Sequence, residues 1–366
     1  MKITAALARQ PAQPFEIEEV DLAEIQDDEV LVKMTAVGIC HSDLAARDQQ
    51  LPIAMPAVLG HEGAGVVQKV GKAVTKLAVG DKVVLTFASC GSCTNCLRGD
   101  VAYCEQGIVL NYSGGRPDGS PTICCGKDRI GGHFFGQSSF ATYAISNQRN
   151  AIKVHANADL TIAAPLGCGI QTGAGTVMRS LAALPGRAIA VFGGGSVGLA
   201  AVMGAVVRGC TPIIVVEPVA ARRALALELG ATHAIDPAAG DVTQQIRAIV
   251  ARGVDYVVDN TAIVPVIQAA MAAMAPHGTM AFLGVPKDPT AELPLSILGF
   301  LASGGTLKAV IEGDTDPDAF IPELLALYEQ GRLPVDKLVR RYGFSQINEA
   351  VEDQLAGRVV KPVLVF

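Results

Sequence analysis

Four cysteines, Cys90, Cys93, Cys96 and Cys104, fall within fifteen residues at x2, x2 and x7 spacing. Thiolates are soft ligands, and four on one short loop suit a closed, tetrahedral zinc site. Such a site leaves no vacancy for a substrate, so its expected role is structural. Disulfides are the competing use of these sulfurs. The tight spacing, and an opening Met1-Lys2-Ile3-Thr4 with no apolar signal core, weigh against them.

A second set is dispersed: Cys40, the segment Gly60-His61-Glu62, and Cys168. Each has a bland reading, because cysteine is common in cores and a lone histidine is usually a structural hydrogen-bonder. Beside a nucleotide fold they describe something sharper, three protein ligands plus water, the open arrangement of a catalytic zinc.

The nucleotide fold is signalled by Gly193-Gly194-Gly195-Ser196-Val197-Gly198. In GxGxxG the first Gly permits the tight turn, the second lets backbone approach a pyrophosphate, and the third lets helix pack on strand. The N–H groups opening the helix at Ser196 and Val197 would face the phosphates. With 39 glycines in the chain, the pattern alone is weak. The next apolar run, Ile213-Ile214-Val215-Val216, ends in Glu217, where an acid grips the ribose hydroxyls and repels a 2′-phosphate. NAD is therefore expected rather than NADP. Arg222 and Arg223 are the counter-signal; their expected place is the exposed face of the following helix, and Arg222 is kept as a cofactor contact.

These residues need positioning elements. The first 165 or so residues read as β-rich, in short apolar segments broken by Gly and Pro, such as 30–37, 65–70, 82–86 and 140–145. From about Gly186, strands at 187–192, 212–216, 253–259 and 279–283 alternate with helices at 196–208, 219–229 and 263–275. That alternation predicts a doubly wound parallel sheet. A strand at 306–311, helices at 317–330 and 345–355 and a strand at 359–366 follow, and the tail is expected to return to the first domain. A chain of 366 residues suits two domains. Half the residues are apolar, with a net charge of -6 and a pI near 5.6. The basic residues are scattered, which argues against a nucleic-acid partner. No apolar run is long enough to span a bilayer, and a cytoplasmic location is expected.

Gly38-Ile39-Cys40-His41-Ser42-Asp43, Gly60-His61-Glu62-Gly63-Ala64-Gly65-Val66-Val67, the four-cysteine loop, Cys168-Gly169 and the glycine fingerprint with Glu217 occur in this order. In these the chain resembles the zinc-containing medium-chain dehydrogenase/reductase family from near its N-terminus to Phe366. The resemblance implies a discontinuous, β-rich GroES-like catalytic domain, residues 1–169 and 309–366, and a Rossmann NAD-binding domain, residues 170–308. It implies Cys40, His61 and Cys168 on the catalytic zinc, with Glu62 a neighbouring acid able to approach it. Asp43 would orient His61, and Ser42 would accept the alcohol proton. His41 would lie near the pyrophosphate, Thr172 near the nicotinamide, Val285 near its carboxamide, and Lys361 at a phosphate. The implied reaction is reversible oxidation of a primary alcohol, with zinc lowering the pKa of the bound alcohol and hydride passing to C4 of the nicotinamide. Where one well-known version of the family has a relay His three residues after the Ser, this chain has Ala45, so water or another group must complete the relay. A homodimer or homotetramer joined through the strand at 306–311 is also implied.

The stretches 107–120, 134–141 and 165–173 resemble the aryl-alcohol (benzyl alcohol) dehydrogenase branch. Phe87, Phe134, Phe135 and Ile108 are the expected apolar slot for a flat ring, which allylic alcohols such as geraniol would also fit. Two other readings stand beside this: an NADPH-dependent aldehyde reductase of the same fold, and a zinc-binding structural protein on that scaffold. Cys124-Cys125 read as structural or incidental, Cys210 as core, and His155, His233 and His277 as surface or structural. His133, near the substrate loop, is the histidine set apart.

Overall fold

The computed structural model describes residues 1–126 and 128–366. The chain divides into two compact units. Met1–Cys168, Asp316–Ala326 and Asp336–Phe366 form the first, and Gly169–Thr315 with Leu327–Val335 the second. The sequence expectation puts the return crossing at 309; by contacts it falls at 316, and Leu327–Val335 packs with the second unit.

The first unit is built on two sheets. In the larger, the order is Ala151–Val154, Lys82–Leu85, Glu62–Val70, Glu29–Gly38, Lys361–Val365 and Val339–Gly343, with Tyr143–Asn147 also on Glu29–Gly38. Glu29–Gly38 alternates Val, Leu and Met with polar residues, the period-2 pattern of a half-covered strand. Lys361–Val365 is captured between Glu29–Gly38 and Val339–Gly343, pairing Val363 with Gly38. The tail thus completes the sheet that carries Cys40 and His61. The smaller sheet contains Lys2–Ala8 and Glu16–Leu22. Its core joins Leu7, Val20, Ile39, Leu59, Phe134 and Phe140.

The second unit holds six parallel strands in the order His233–Ile235, Ile213–Val216, Ile189–Phe192, Val254–Asp259, Met274–Phe282 and Thr306–Ala309. Numbered along the chain this is 3-2-1-4-5-6, the dinucleotide-binding order. Ile189–Phe192 and Ile213–Val216, both internal to the sheet, are fully buried, which explains their unbroken apolar sequences. The helix Ser196–Arg208 lies where its pattern predicts. The expected helix at 263–275 ends earlier, at Ala272, and the strand Met274–Phe282 begins earlier than 279. Pro276 explains the difference: it turns Ala275 away from helical backbone and sits where the ladder register slips. No helix among the described residues is long and apolar enough to cross a membrane.

Candidate functional site

The strand Glu29–Gly38 delivers Cys40 to the N-cap of the short helix His41–Arg47. Asp43, in that helix's first turn, is wholly buried and makes three bonds. Its Oδ2 accepts from the Cys40 amide at 2.8 Å. Its Oδ1 accepts from the Gly60 amide at 3.0 Å and from His61 Nδ1 at 2.7 Å. The imidazole is thereby held in one orientation with Nε2 turned the other way. That Nε2 is buried with no hydrogen-bond partner among the described residues. Donor atoms of Cys40, His61, Glu62 and Cys168 all lie within 4.8 Å of one another.

This donor set fits zinc. An orphaned imidazole nitrogen beside two thiols is an incomplete polar cluster that a cation completes. The titration directions agree. The Cys40 thiol is held well below its ordinary range, chiefly by a hydrogen bond from Cys168. Burial opposes charge on His61, yet Asp43 and Cys40 overcome it and raise its pKa well above the ordinary value.

Glu62 and Lys361 are both 0 % exposed, and Lys361 Nζ lies 2.8 and 2.9 Å from the two Glu62 carboxylate oxygens and 3.2 Å from the Ile39 carbonyl. Burial pushes the Glu62 carboxyl up, to about 7, against the pull of the ammonium. Burial by itself lowers Lys361; the charge of Glu62 more than reverses this. Lys361 is therefore not placed as a phosphate contact, which corrects the sequence expectation. Its strand is internal to the sheet, and position 361 points inward beside the metal donors. Gly38 makes room for the pair, since a Cβ there would meet Glu62 Oε2 at 2.0 Å.

An aromatic wall backs the imidazole. Phe135 stacks on His61 at 4.4 Å and 25°, and Phe134 meets it edge-on at 5.6 Å. Tyr112 packs edge-on against both phenylalanines, at 6.1 and 5.3 Å. Phe87 belongs to the same buried cluster. Ile108 does not: it is 80 % exposed, on the outer side of the helix Gly107–Tyr112, and Tyr112 takes the place expected of it. Sequence reasoning misses Tyr112 and also Gln137, which bridges the Gly63 amide to the carbonyls of His61 and Thr86. Ile108 and Tyr112 stand at i and i+4 of one helix, a spacing that does not distinguish them. Ala45 is buried, so no surface group stands at that relay position. Ser42 is half-buried and His41 exposed.

His133 precedes the two phenylalanines in left-handed backbone, φ 69°. It is buried near the Glu29–Arg116 ion pair, whose Nε–Oε1 distance is 2.7 Å. Burial brings its pKa down to about 4, with Glu29 opposing and Arg116 assisting. The unfolded chain takes up this proton near pH 6.5. Stability from the neutral imidazole is thus full above about 6.5 and is lost as pH falls toward 4, about 2 kcal/mol of it by pH 5. His133→Asn, which tolerates left-handed backbone, is expected to flatten this acid limb in denaturant unfolding at pH 7 and pH 5. An unchanged difference between the two pH values would place the acid sensitivity elsewhere.

The sulfurs of Cys90, Cys93, Cys96 and Cys104 also converge within 4.8 Å. All nine cysteines are free thiols. Backbone amides point at the sulfurs: Ser92 and Cys93 toward Cys90, Cys96 and Glu105 toward Cys93, and Cys90 toward Cys104. The Ser92 amide leads in pulling Cys90 down to about 6, while burial pushes Cys96 up to about 12. Four converging sulfurs wrapped in N–H donors fit a closed zinc site.

On the second unit the glycine loop forms an open cradle. A Cβ on Gly198 would sit 1.8 Å from the Gly193 carbonyl, whereas one on Gly195 would meet nothing within 4 Å. No side chain caps the helix that begins at Ser196, so its first N–H groups suit a pyrophosphate. Glu217 is buried at the end of its strand, accepting from the Gly194 amide at 2.6 Å and the Val219 amide at 2.8 Å. Asn260 Nδ2, not foreseen, donates to the carbonyls of Phe192 and Gly193 and braces the loop. Arg222 and Arg223 are half-buried rather than exposed. Arg223 is engaged with Asp236 at 2.7 Å and with the Glu217 and Pro218 carbonyls. Arg222 Nε is buried with no hydrogen-bond partner among the described residues. Thr172 Oγ1 donates to Glu312 at 3.2 Å, and Val285 is 50 % exposed.

Residues 26–156 match the alcohol dehydrogenase GroES-like domain family, and residues 196–330 match the zinc-binding dehydrogenase family. A geraniol dehydrogenase of Castellaniella defragrans is 46% identical over 364 residues, 99% of this chain and 97% of that one. An alcohol dehydrogenase zinc-binding domain protein from Burkholderia ambifaria has a solved structure with TM-score 0.98 and 46% identity, covering 100% of this chain and 99% of that one. The benzyl alcohol dehydrogenase of Acinetobacter calcoaceticus gives TM-score 0.97 and 40% identity, covering 100% and 99%.

Proposed function

The chain belongs to the zinc-binding alcohol dehydrogenases, and from that premise we propose that its substrates are aryl, benzyl-type primary alcohols, oxidised reversibly to aldehydes with NAD. The GroES-like and Rossmann folds are those of the family, and zinc and a nicotinamide dinucleotide are its cofactors. The observation that carries the aryl reading is the wall of Phe134, Phe135 and Tyr112 around His61. Flat rings pack offset or edge-on against such a surface. A second reading, allylic alcohols of the geraniol type, is favoured by the 46% identity to a geraniol dehydrogenase.

In this reading Cys40, His61 and Cys168 hold the catalytic zinc, and Cys90, Cys93, Cys96 and Cys104 the structural one. Bound zinc supplies a Lewis acid that lowers the pKa of the alcohol hydroxyl, and the nicotinamide accepts the hydride. Asp43 keeps the His61 proton on Nδ1, so that Nε2 is the donor. Ser42 takes the substrate proton, and with Ala45 at the relay position water or another group carries that proton onward. Phe134 and Phe135 exclude water around the imidazole. Gly193, Gly195, Ser196, Val197 and Gly198 receive the pyrophosphate, with His41 and Arg222 as further contacts; Thr172 and Val285 face the nicotinamide. The Glu217 carboxylate repels a 2′-phosphate, which selects NAD over NADP. A homodimer or homotetramer would join through Thr306–Ala309, the sheet's open edge, beside the exposed Ile297, Leu298 and Leu301.

The test is NAD reduction with benzyl alcohol, geraniol and ethanol in parallel, with NADP as control. Burying a ring in place of a methyl group is worth about 2–3 kcal/mol, so kcat/KM for benzyl alcohol should exceed that for ethanol by about 10²-fold. Geraniol turned over well ahead of benzyl alcohol would replace the aryl reading with the allylic one. Ethanol as the best substrate would discard both.

A further inference from the structure

The last strand of the second unit's sheet, Thr306–Ala309, leads into a turn with three successive positive φ values. They are 51° at Glu312, 73° at Gly313 and 52° at Asp314. Gly and Asp tolerate left-handed backbone, but Glu does not favour it, so Glu312 keeps this conformation only because its surroundings hold it. Those surroundings are the segment Gly169–Gly175 and the residues after it. A Cβ on Gly313 would lie 2.5 Å from the Gln171 carbonyl oxygen and 2.8 Å from Gly175 Cα. Asp314 accepts from Ser180 Oγ at 2.7 Å and pairs with Lys308 at 2.9 Å. Thr315 Oγ1 donates to the Glu312 carbonyl at 2.9 Å.

Strain held this firmly fixes one side chain, that of Glu312. It is buried, and its Oε2 accepts from Gln171 Nε2 at 3.0 Å and from Thr172 Oγ1 at 3.2 Å. The carboxylate therefore lies one hydrogen bond behind the hydroxyl that faces the nicotinamide in the function proposed above, and the role of Glu312 rests on that placement. The oxidised nicotinamide ring is cationic and the reduced ring neutral. A fixed anion at that depth interacts with the first far more than with the second.

We propose that Glu312 is a positioning residue that orients the Thr172 hydroxyl and, through its charge, makes the site bind oxidised cofactor in preference to reduced. The asymmetry shifts the equilibrium between the two bound cofactor states and the relative ease of releasing each, while the overall equilibrium between alcohol and aldehyde is untouched.

The zinc-loaded wild type, Glu312→Gln and Thr172→Val are titrated with NAD⁺, NADH and ADP-ribose, by calorimetry and by NADH fluorescence. ADP-ribose lacks the ring and reports on the rest of the site. Glu312→Gln keeps the shape and an acceptor for Thr172 but removes the charge. It is expected to weaken NAD⁺ on the order of ten-fold while NADH and ADP-ribose keep their affinities. Equal weakening of NAD⁺ and NADH, any loss of ADP-ribose binding, or no change in any ligand overturns the proposal. Thr172→Val separates the two ideas: it should weaken NAD⁺ and NADH but not ADP-ribose. If it weakens neither, the placement of the ring at Thr172 falls, and with it the proposal. If it weakens both while Glu312→Gln leaves their ratio unchanged, only the role of Glu312 falls.

Discussion

Asp43→Ala is expected to yield a folded chain that keeps its four-cysteine zinc and releases the other far more readily. The carboxylate is the common acceptor for the Cys40 amide, the Gly60 amide and His61 Nδ1. Removing it frees the imidazole to rotate and to carry its proton on either nitrogen. Losing such a hydrogen-bonding partner of a metal-bound histidine costs about 10–100-fold in metal affinity. Two buried amides are stranded as well, at about 1–3 kcal/mol each, so the melting temperature should fall with the affinity. Zinc content after dialysis against graded chelator reads the effect. Asp43→Asn, which preserves size and one acceptor, should lie between the two. A variant that retained two zinc ions at wild-type affinity would show that the positions of Cys40 and His61 are set without Asp43.

Lys361→Met should be strongly destabilising to the catalytic domain. It leaves the Glu62 carboxylate buried beside two thiols with its ammonium partner gone. Breaking a buried pair from one side costs about 3–5 kcal/mol while the remaining group stays charged. Because burial already raises Glu62 to about 7 with the ammonium present, the loss is expected to grow as pH rises above neutrality and to shrink below it, where Glu62 takes up a proton. The companion Glu62→Gln/Lys361→Met removes both charges and should recover most of that loss. Denaturant unfolding of the two single variants and the double closes the cycle. Losses that simply add would show that the two side chains are neighbours without being partners.

The two clusters of metal-donor side chains were legible as candidates because their residue types carry chemistry that few other arrangements explain, and four of the cysteines crowd one loop. Five of the six parallel strands were legible from strand–helix periodicity, and Glu217 from its place at the end of the second; the edge strand His233–Ile235 escaped because three residues are too few to show a period. What escaped depends on tertiary distance. Lys361 and Glu62 are 299 positions apart, and nothing local in Val359-Val360-Lys361-Pro362 announces a buried cation. Ile108 and Tyr112 sit one helical turn apart, and only packing decides which of them faces Phe134 and Phe135. Asn260 and Gln137 brace the backbone of the glycine loop and of His61, a task that local sequence does not distinguish from that of any other polar loop residue. The early end of the helix at Ala272 was visible in Pro276, which outweighs the apolar run before it.

The capture of Lys361–Val365 between two strands of the first unit gives the chain a timetable. At about 5–20 residues per second of synthesis, Glu62 emerges roughly 15–60 seconds before the lysine that will neutralise it. During that interval the first domain lacks a strand of its larger sheet, and the acid beside its metal donors has no counter-ion from this chain. The second unit, by contrast, has all six strands by Ala309 and can consolidate first. Closure of the catalytic sheet is therefore a late event in the birth of the enzyme. A nascent chain halted before residue 361 holds every side chain of the two proposed zinc sites in its sequence but not the strand that closes the larger sheet.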